Sequence, residues 1–151
     1  MKHVSTAEAP ATGWIYAPNG VPILRYEVEA DGRALHVEWQ SGPPLDDVKL
    51  GFIELARLLR ENRCPVLLSD SNDSTGDWSE LIPWVRYEFL PLALAGGLRY
   101  LIDVLPLDPA SSFSVNSWRN QTRGLLHHEV FTSLSAAREG IRRMVPVEAR
   151  R

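Results

Sequence analysis

The sequence predicts an α/β protein in which an N-terminal β-hairpin is followed by helices and strands in the order αβαβαβα. The expected product is a mixed five-stranded sheet with about four helices. Three observations predict this. Two period-2 runs flank an Asp-Gly pair. Three later apolar runs have strand length. Between and after them lie helix-length segments with an apolar stripe or a clear stop signal.

Taken in order, residues 1–22 hold Pro10, Gly13, Pro18, Gly20 and Pro22, which predicts a flexible arm whose Trp14, Ile15 and Tyr16 can still dock on the domain. Leu24, Tyr26, Val28 and Ala30 alternate with Arg25, Glu27 and Glu29. After Asp31-Gly32, Leu35, Val37 and Trp39 alternate with His36, Glu38 and Gln40. This is a hairpin with a type I′ turn, one face buried and one wet. Gly42-Pro43-Pro44 breaks the chain. Asp46 or Asp47 starts a helix whose stripe is Val48, Phe52, Leu55 and Leu59, ending near Asn62. Pro65 opens the strand "VLLSD", apolar throughout as in a strand covered on both faces. A helix over 79–95 stops at Gly96-Gly97. Residues 98–105 form a strand closed by Pro106 and Pro109, 111–123 a polar helix stopped by Gly124, and 125–131 the last strand. Thr132 or Ser133 caps a final helix with the stripe Leu134, Ala137, Ile141 and Met144. The domain covers 23–145, and 146–151 is a tail.

Composition narrows function. Of 151 residues, 44% are hydrophobic and 23% charged, as in a soluble globular chain. Sixteen basic against 19 acidic residues give a net charge of −3, which makes no case for nucleic acid or an anionic membrane. No apolar run is long enough to span a bilayer, and the first residues lack a signal-peptide core. The single cysteine, Cys64, suits a reducing cytoplasm and reads as a buried thiol.

Two stretches stand out as candidate sites. "SDSNDSTG", residues 69–76, lies between a strand end and a helix start, where α/β proteins place binding groups. Its simpler role, and the favoured one, is to satisfy turn and cap backbone groups. The helix over 79–95 is the second. At 100° per residue, Leu81, Ile82, Val85, Phe89, Leu92 and Ala93 share one face, and Trp84, Tyr87, Leu90 and Leu94 share another. The second face predicts a homodimer interface, a partner surface or a ligand pocket, unless the N-terminal arm covers it. His127 and His128 are adjacent on a strand and point to opposite faces, so no metal site is expected. Gly-x-Ser-x-Gly and the phosphate-binding Gly-x-x-x-x-Gly-Lys are absent. No catalytic residue and no cofactor is assigned.

The element order, "LPLALAGGLRYLIDVLPLD" over 90–108 and the strand end "LLSD" resemble the STAS fold and its small SpoIIAA-like, or STAS/SEC14-like, bacterial relatives. The likeness covers roughly residues 23–145. It implies a non-catalytic regulatory or protein-interaction module, with a protein partner or a second copy of itself. Asp73-Ser74-Thr75-Gly76 looks like the STAS phosphorylation motif, with Ser74 matching the phosphorylated serine and Asp70 nearby. The SEC14-like relatives imply an alternative, a carrier or sensor of a small apolar ligand. An enzyme with shifted carboxylates in the 70–80 loop is a third reading.

Overall fold

The computed structural model describes residues 12–146. Among these, the chain runs β1 (Thr12–Tyr16), β2 (Pro22–Val28), β3 (Ala34–Trp39), α1 (Leu45–Asn62), β4 (Val66–Asp70), a helical segment α2 over residues 79–95, β5 (Tyr100–Val104), α3 (Pro109–Gln121), β6 (His127–Phe131) and α4 (Leu134–Met144). The α/β class and the order of elements after the hairpin are as expected. The sheet has six strands rather than five, because part of the arm joins it. Thr12–Tyr16 pairs antiparallel with β2 as the edge strand. Its β-branched and aromatic residues favour extended backbone, and the flanking Pro and Gly end the strand without preventing it. Ile15 packs on the core, whereas Trp14 and Tyr16 stay exposed and stack on each other at 6.4 Å. Trp14 and Tyr16 therefore do not cover α2. Residues 1–11 and 147–151 of the expected arm and tail lie outside the described residues.

The strands lie side by side in chain order, antiparallel through β1, β2 and β3 and parallel from β3 to β6. Crossovers of one hand, always stepping the same way, put α1, α2 and α3 on one face of the sheet. The main core lies there, around Leu24, Leu35, Leu67, Leu101, Leu55, Leu59, Phe89 and Trp118. α4 covers the other face with Ala137 and Ile141 over Val66, Leu68, Ile102 and Val104.

The hairpin turn differs from expectation. A type I′ turn needs positive φ at both central residues. Here Arg63 is the only described non-glycine residue with positive φ, so Asp31 does not adopt one. Instead the Gly32 N–H donates to Glu29 O (2.8 Å), and Gly32 alone turns left-handed at φ 76°. The Asp31 carboxylate takes up Arg33, accepting from its backbone N–H (3.0 Å) and its guanidinium (2.6 and 2.8 Å). α3 starts at Pro109, two residues before the expected start. Asp108 is the N-cap, accepting from the Ser111 N–H (3.0 Å), and proline suits the first helical turn.

α2 carries the largest correction. It opens as a 3-10 turn (Ser79–Leu81), continues as α-helix (Ile82–Trp84), widens into one π turn (Val85–Phe89) and closes as α-helix (Leu90–Ala95). In the π turn the Leu90 N–H reaches back to Val85 O. Pro91 follows directly. A proline lacks the N–H of a regular helix and crowds the carbonyl four residues back, and a wider turn relieves both faults. The inserted residue rotates everything after it by about 100° relative to a uniform helix. Leu90 thereby swings into the core (0% exposed) and Leu92 out of it (51%). Trp84 and Leu94 are half-buried against the core, and Tyr87 stands exposed under the Arg86 guanidinium. Leu90 is thus withdrawn from the face expected to join Trp84, Tyr87, Leu90 and Leu94, and the four do not share one exposed surface.

Candidate functional site

The parallel strands place their carboxyl ends together beneath α1, α2 and α3, and a cavity of about 100 Å³ opens there. Its walls are aromatic: Trp39 at the end of β3, Phe52 on α1, Trp78 and Phe89 before and within α2, and Trp118 on α3. Trp39, Phe52 and Phe89 form a contiguous set, with centroids 4.7 and 5.0 Å apart. The floor is polar. In the parallel register Ser69 on β4 lies beside Asp103 on β5, both on the helix-covered face, and Ser71 follows at the strand end. The Trp39 Nε1–H donates to Ser69 Oγ (2.8 Å), which fixes one wall against the floor.

Asp103 is 4% exposed and is partnered by His128, 9% exposed, across 2.5 Å from its Oδ2 to Nε2. The Thr122 hydroxyl lies 2.7 Å from His128 Nδ1. Burying a carboxylate requires such partners. Both imidazole nitrogens are therefore engaged, and neither is left to activate Ser69 or Ser71 as a nucleophile. The floor is suited to hydrogen bonding with a ligand's polar end. His127 points the opposite way and pairs with Glu129 (3.0 Å), so the two histidines are separated as the strand period requires.

The 70–80 loop forms the rim. Ser74 is half-buried and lines the cavity with Thr75. The Ser41 hydroxyl donates to Asp73 O (2.8 Å) and lies 3.1 Å from Thr75 Oγ1, tying the loop to the segment between β3 and α1. Gly76, at φ 86°, donates its N–H to Asp108 Oδ2 (3.0 Å), and its carbonyl accepts from the Ser111 hydroxyl (2.7 Å). The Ser114 hydroxyl donates to Asp77 Oδ1 (2.9 Å) and accepts from the Trp78 N–H (3.0 Å). The loop is thus latched to the first turns of α3. Hydrogen bonds from Ser79 and Ser114 hold the Asp77 carboxyl below its usual range, and the Ser111 and Gly76 N–H groups do the same for Asp108. Asp70 turns away from this rim to the other face of the sheet. The His36 ring beside it lowers its carboxyl, burial opposes, and the Asn72 N–H assists.

Asp73, Ser74, Thr75 and Gly76 thus gather at one rim, and the latches engage the Asp73 carbonyl, the Gly76 N–H and carbonyl, and the Thr75 hydroxyl. Sequence reasoning singled out the stretch that holds Ser69 and Ser71 but not Asp103, nor the latch residues Ser41, Asp108, Ser111 and Ser114. One signal was present: Asp103 is a lone acid inside an apolar strand run, which marks a buried polar group with a partner. Among the described residues no helix is long and apolar enough to cross a membrane. Comparison of the chain with protein-family models, curated proteins and solved structures finds no match, so the reading rests on the site's own geometry.

Proposed function

We propose that this protein is a binding module, a carrier or sensor, for a small ligand with an apolar body and one hydrogen-bonding end. The observation that carries this is the aromatic-walled cavity with Ser69, Ser71 and Asp103 on its floor, at the carboxyl ends of parallel strands. Apolar walls with a few convergent polar groups are the usual make-up of a small-molecule site. The resemblance to STAS/SEC14-like proteins supports the same reading. The test is a set of benzene- to indole-sized compounds, with and without a hydroxyl or carboxamide, measured by calorimetry. Compounds carrying the polar group bind one per chain and raise the melting temperature. In Ser71→Leu, which fills the floor, binding falls at least about tenfold, or about 1.4 kcal/mol. Equal binding by wild type and Ser71→Leu, or none by either, overturns the reading.

The position of Ser74 supports a second, regulatory reading of STAS type. Ser74 stands on the cavity rim, and phosphate there adds a charge of about −1.5 to −2 beside Asp73 and Asp77. Ligand entry and loop phosphorylation then oppose each other. Ser74→Asp is expected to weaken ligand binding while leaving the melting temperature of the free protein within about 2 °C. Unchanged binding in Ser74→Asp removes this reading and leaves the first intact.

A further inference from the structure

α4 packs over β4, β5 and β6, and the part of that sheet face beyond it carries Arg25 and Glu27 on β2, His36 and Glu38 on β3, and Asp70 at the end of β4. Strand alternation and register bring Glu27 beside His36, Arg25 beside Glu38, and Glu38 beside Asp70. In the middle stands His36, only 4% exposed, whose Nε2 has no hydrogen-bond partner. Nε2 lies 3.8 Å from Asp70 Oδ2, and Nδ1 lies 4.0 Å from Glu29 Oε2. Both separations are too long for hydrogen bonds. A buried imidazole nitrogen facing carboxylates at this range is under-satisfied as a donor or acceptor. It is well placed as a ligand: two donors at about 2.1 Å from one ion, subtending about 90–130°, lie about 3.0–3.8 Å apart.

We infer that His36 Nε2, Glu38 and Asp70 form a site for one divalent transition-metal ion. One ligand atom from each of the three lies within 4.8 Å of the others. One imidazole nitrogen with two carboxylate oxygens suits zinc, manganese, iron(II) or cobalt better than calcium or magnesium, which prefer all-oxygen sites. The alternative grouping of His36 with Glu27 and Glu29 is weaker, because the Arg138 guanidinium already holds Glu29 (2.9 and 3.3 Å). Glu29 lies on the Nδ1 side of the ring, 4.0 Å away, and its bonds to Arg138 keep it out of the ion's shell. Asp70 Oδ1 accepts from the Asn72 N–H (3.0 Å), which leaves Oδ2 to face His36. Arg25 is 3.8 Å from Glu38, a loose and half-exposed pair that an ion can displace. The Glu38 side chain is 40% exposed, so the site is open to solvent on one side, with three protein ligands and room for water.

The test uses full-length protein freed of metal with EDTA. Cobalt(II) is titrated by visible absorption, and zinc and manganese by calorimetry. One ion per chain binds with a Kd below about 10 µM for at least one of these metals. His36→Gln, Glu38→Gln and Asp70→Asn each weaken it at least about tenfold, and Glu27→Gln changes it less than about threefold. Because Glu38 is half-exposed, Glu38→Gln keeps the test decisive should His36→Gln fail to fold. Three results overturn the inference. One is no binding up to millimolar metal. Another is binding unchanged by Glu38→Gln and Asp70→Asn, as a site at His127 and Glu129 would give. The last is an imidazole NMR spectrum showing His36 protonated between Glu29 and Asp70 at neutral pH with metal present.

Discussion

Leu90 and Leu92 differ by two positions, and the π turn of α2 reverses their roles. Leu90 is 0% exposed within the main core, while Leu92 is 51% exposed. Truncating Leu90 to alanine removes buried methyl groups and leaves a void, which for a fully buried leucine costs about 2.7–5 kcal/mol. Truncating Leu92 removes little contact, and alanine is the better helix former, so the change stays within about 0.5 kcal/mol. In a chain of this length 1 kcal/mol corresponds to about 2–4 °C. Leu90→Ala should therefore lower the melting temperature by roughly 6–16 °C, taking about 3–4 kcal/mol, and Leu92→Ala by less than about 2 °C. The assay is urea unfolding followed by far-ultraviolet circular dichroism, with equal m-values required of both variants. A uniform helix predicts the opposite order, because it puts Leu92 on the core face and Leu90 outside. A larger loss in Leu92→Ala than in Leu90→Ala would refute the π-turn argument.

Gly140 on α4 faces Phe131 so closely that an added Cβ meets its Cζ at 2.5 Å, so Gly140→Ala should cost about 1–3 kcal/mol in urea unfolding, with partial recovery in the double variant with Phe131→Leu. Deleting residues 1–16 removes β1 and the Ile15 contact, and should cost more than about 2 kcal/mol; an unchanged melt would show that the strand contributes nothing. Asp70, Asp77 and Asp108 have folded carboxyls below their usual range, so their contribution is present above about pH 4 and is lost as pH falls through the folded values. Amide exchange of Gly76 and Trp78, corrected for its intrinsic pH dependence, should accelerate only below about pH 4; release already at pH 6 would contradict the latch.

The parts of the fold that follow from local pattern were readable. Alternation around Asp31-Gly32 identifies β2 and β3, and the stripe Val48, Phe52, Leu55 and Leu59 identifies α1. What escaped depends on pairing or on departures from regular geometry. A helical wheel assumes one constant rotation per residue, so it misplaces Leu90 and Leu92 once a π turn intervenes. Pro91 was the visible warning. β1 is short and enclosed by proline and glycine, so only its pairing with β2 distinguishes it from loop. The cavity floor joins Ser69 and Asp103, which meet only through the parallel register of β4 and β5. His36 reads as a wet-face residue of an alternating strand, and its burial comes from tertiary packing. The polar residues of the 70–76 loop were read as satisfying turns and caps; Asp70 does so for the Asn72 N–H, whereas Ser41, Asp108 and Ser111, from outside the loop, satisfy its backbone groups.

The ligand proposed for the cavity beneath α1, α2 and α3 would be reported by the tryptophans around it. The chain has five tryptophans, so an amide-type proton–nitrogen NMR spectrum shows one indole N–H signal for each. Trp39, Trp78 and Trp118 line the cavity, while Trp14 and Trp84 lie outside it. Titration with an indole- or phenol-sized compound should shift the first three signals together, along one saturable curve, and leave the other two in place. Shifts confined to Trp14 and Trp84, or no saturable shift of the cavity set with any compound tested, would contradict the account.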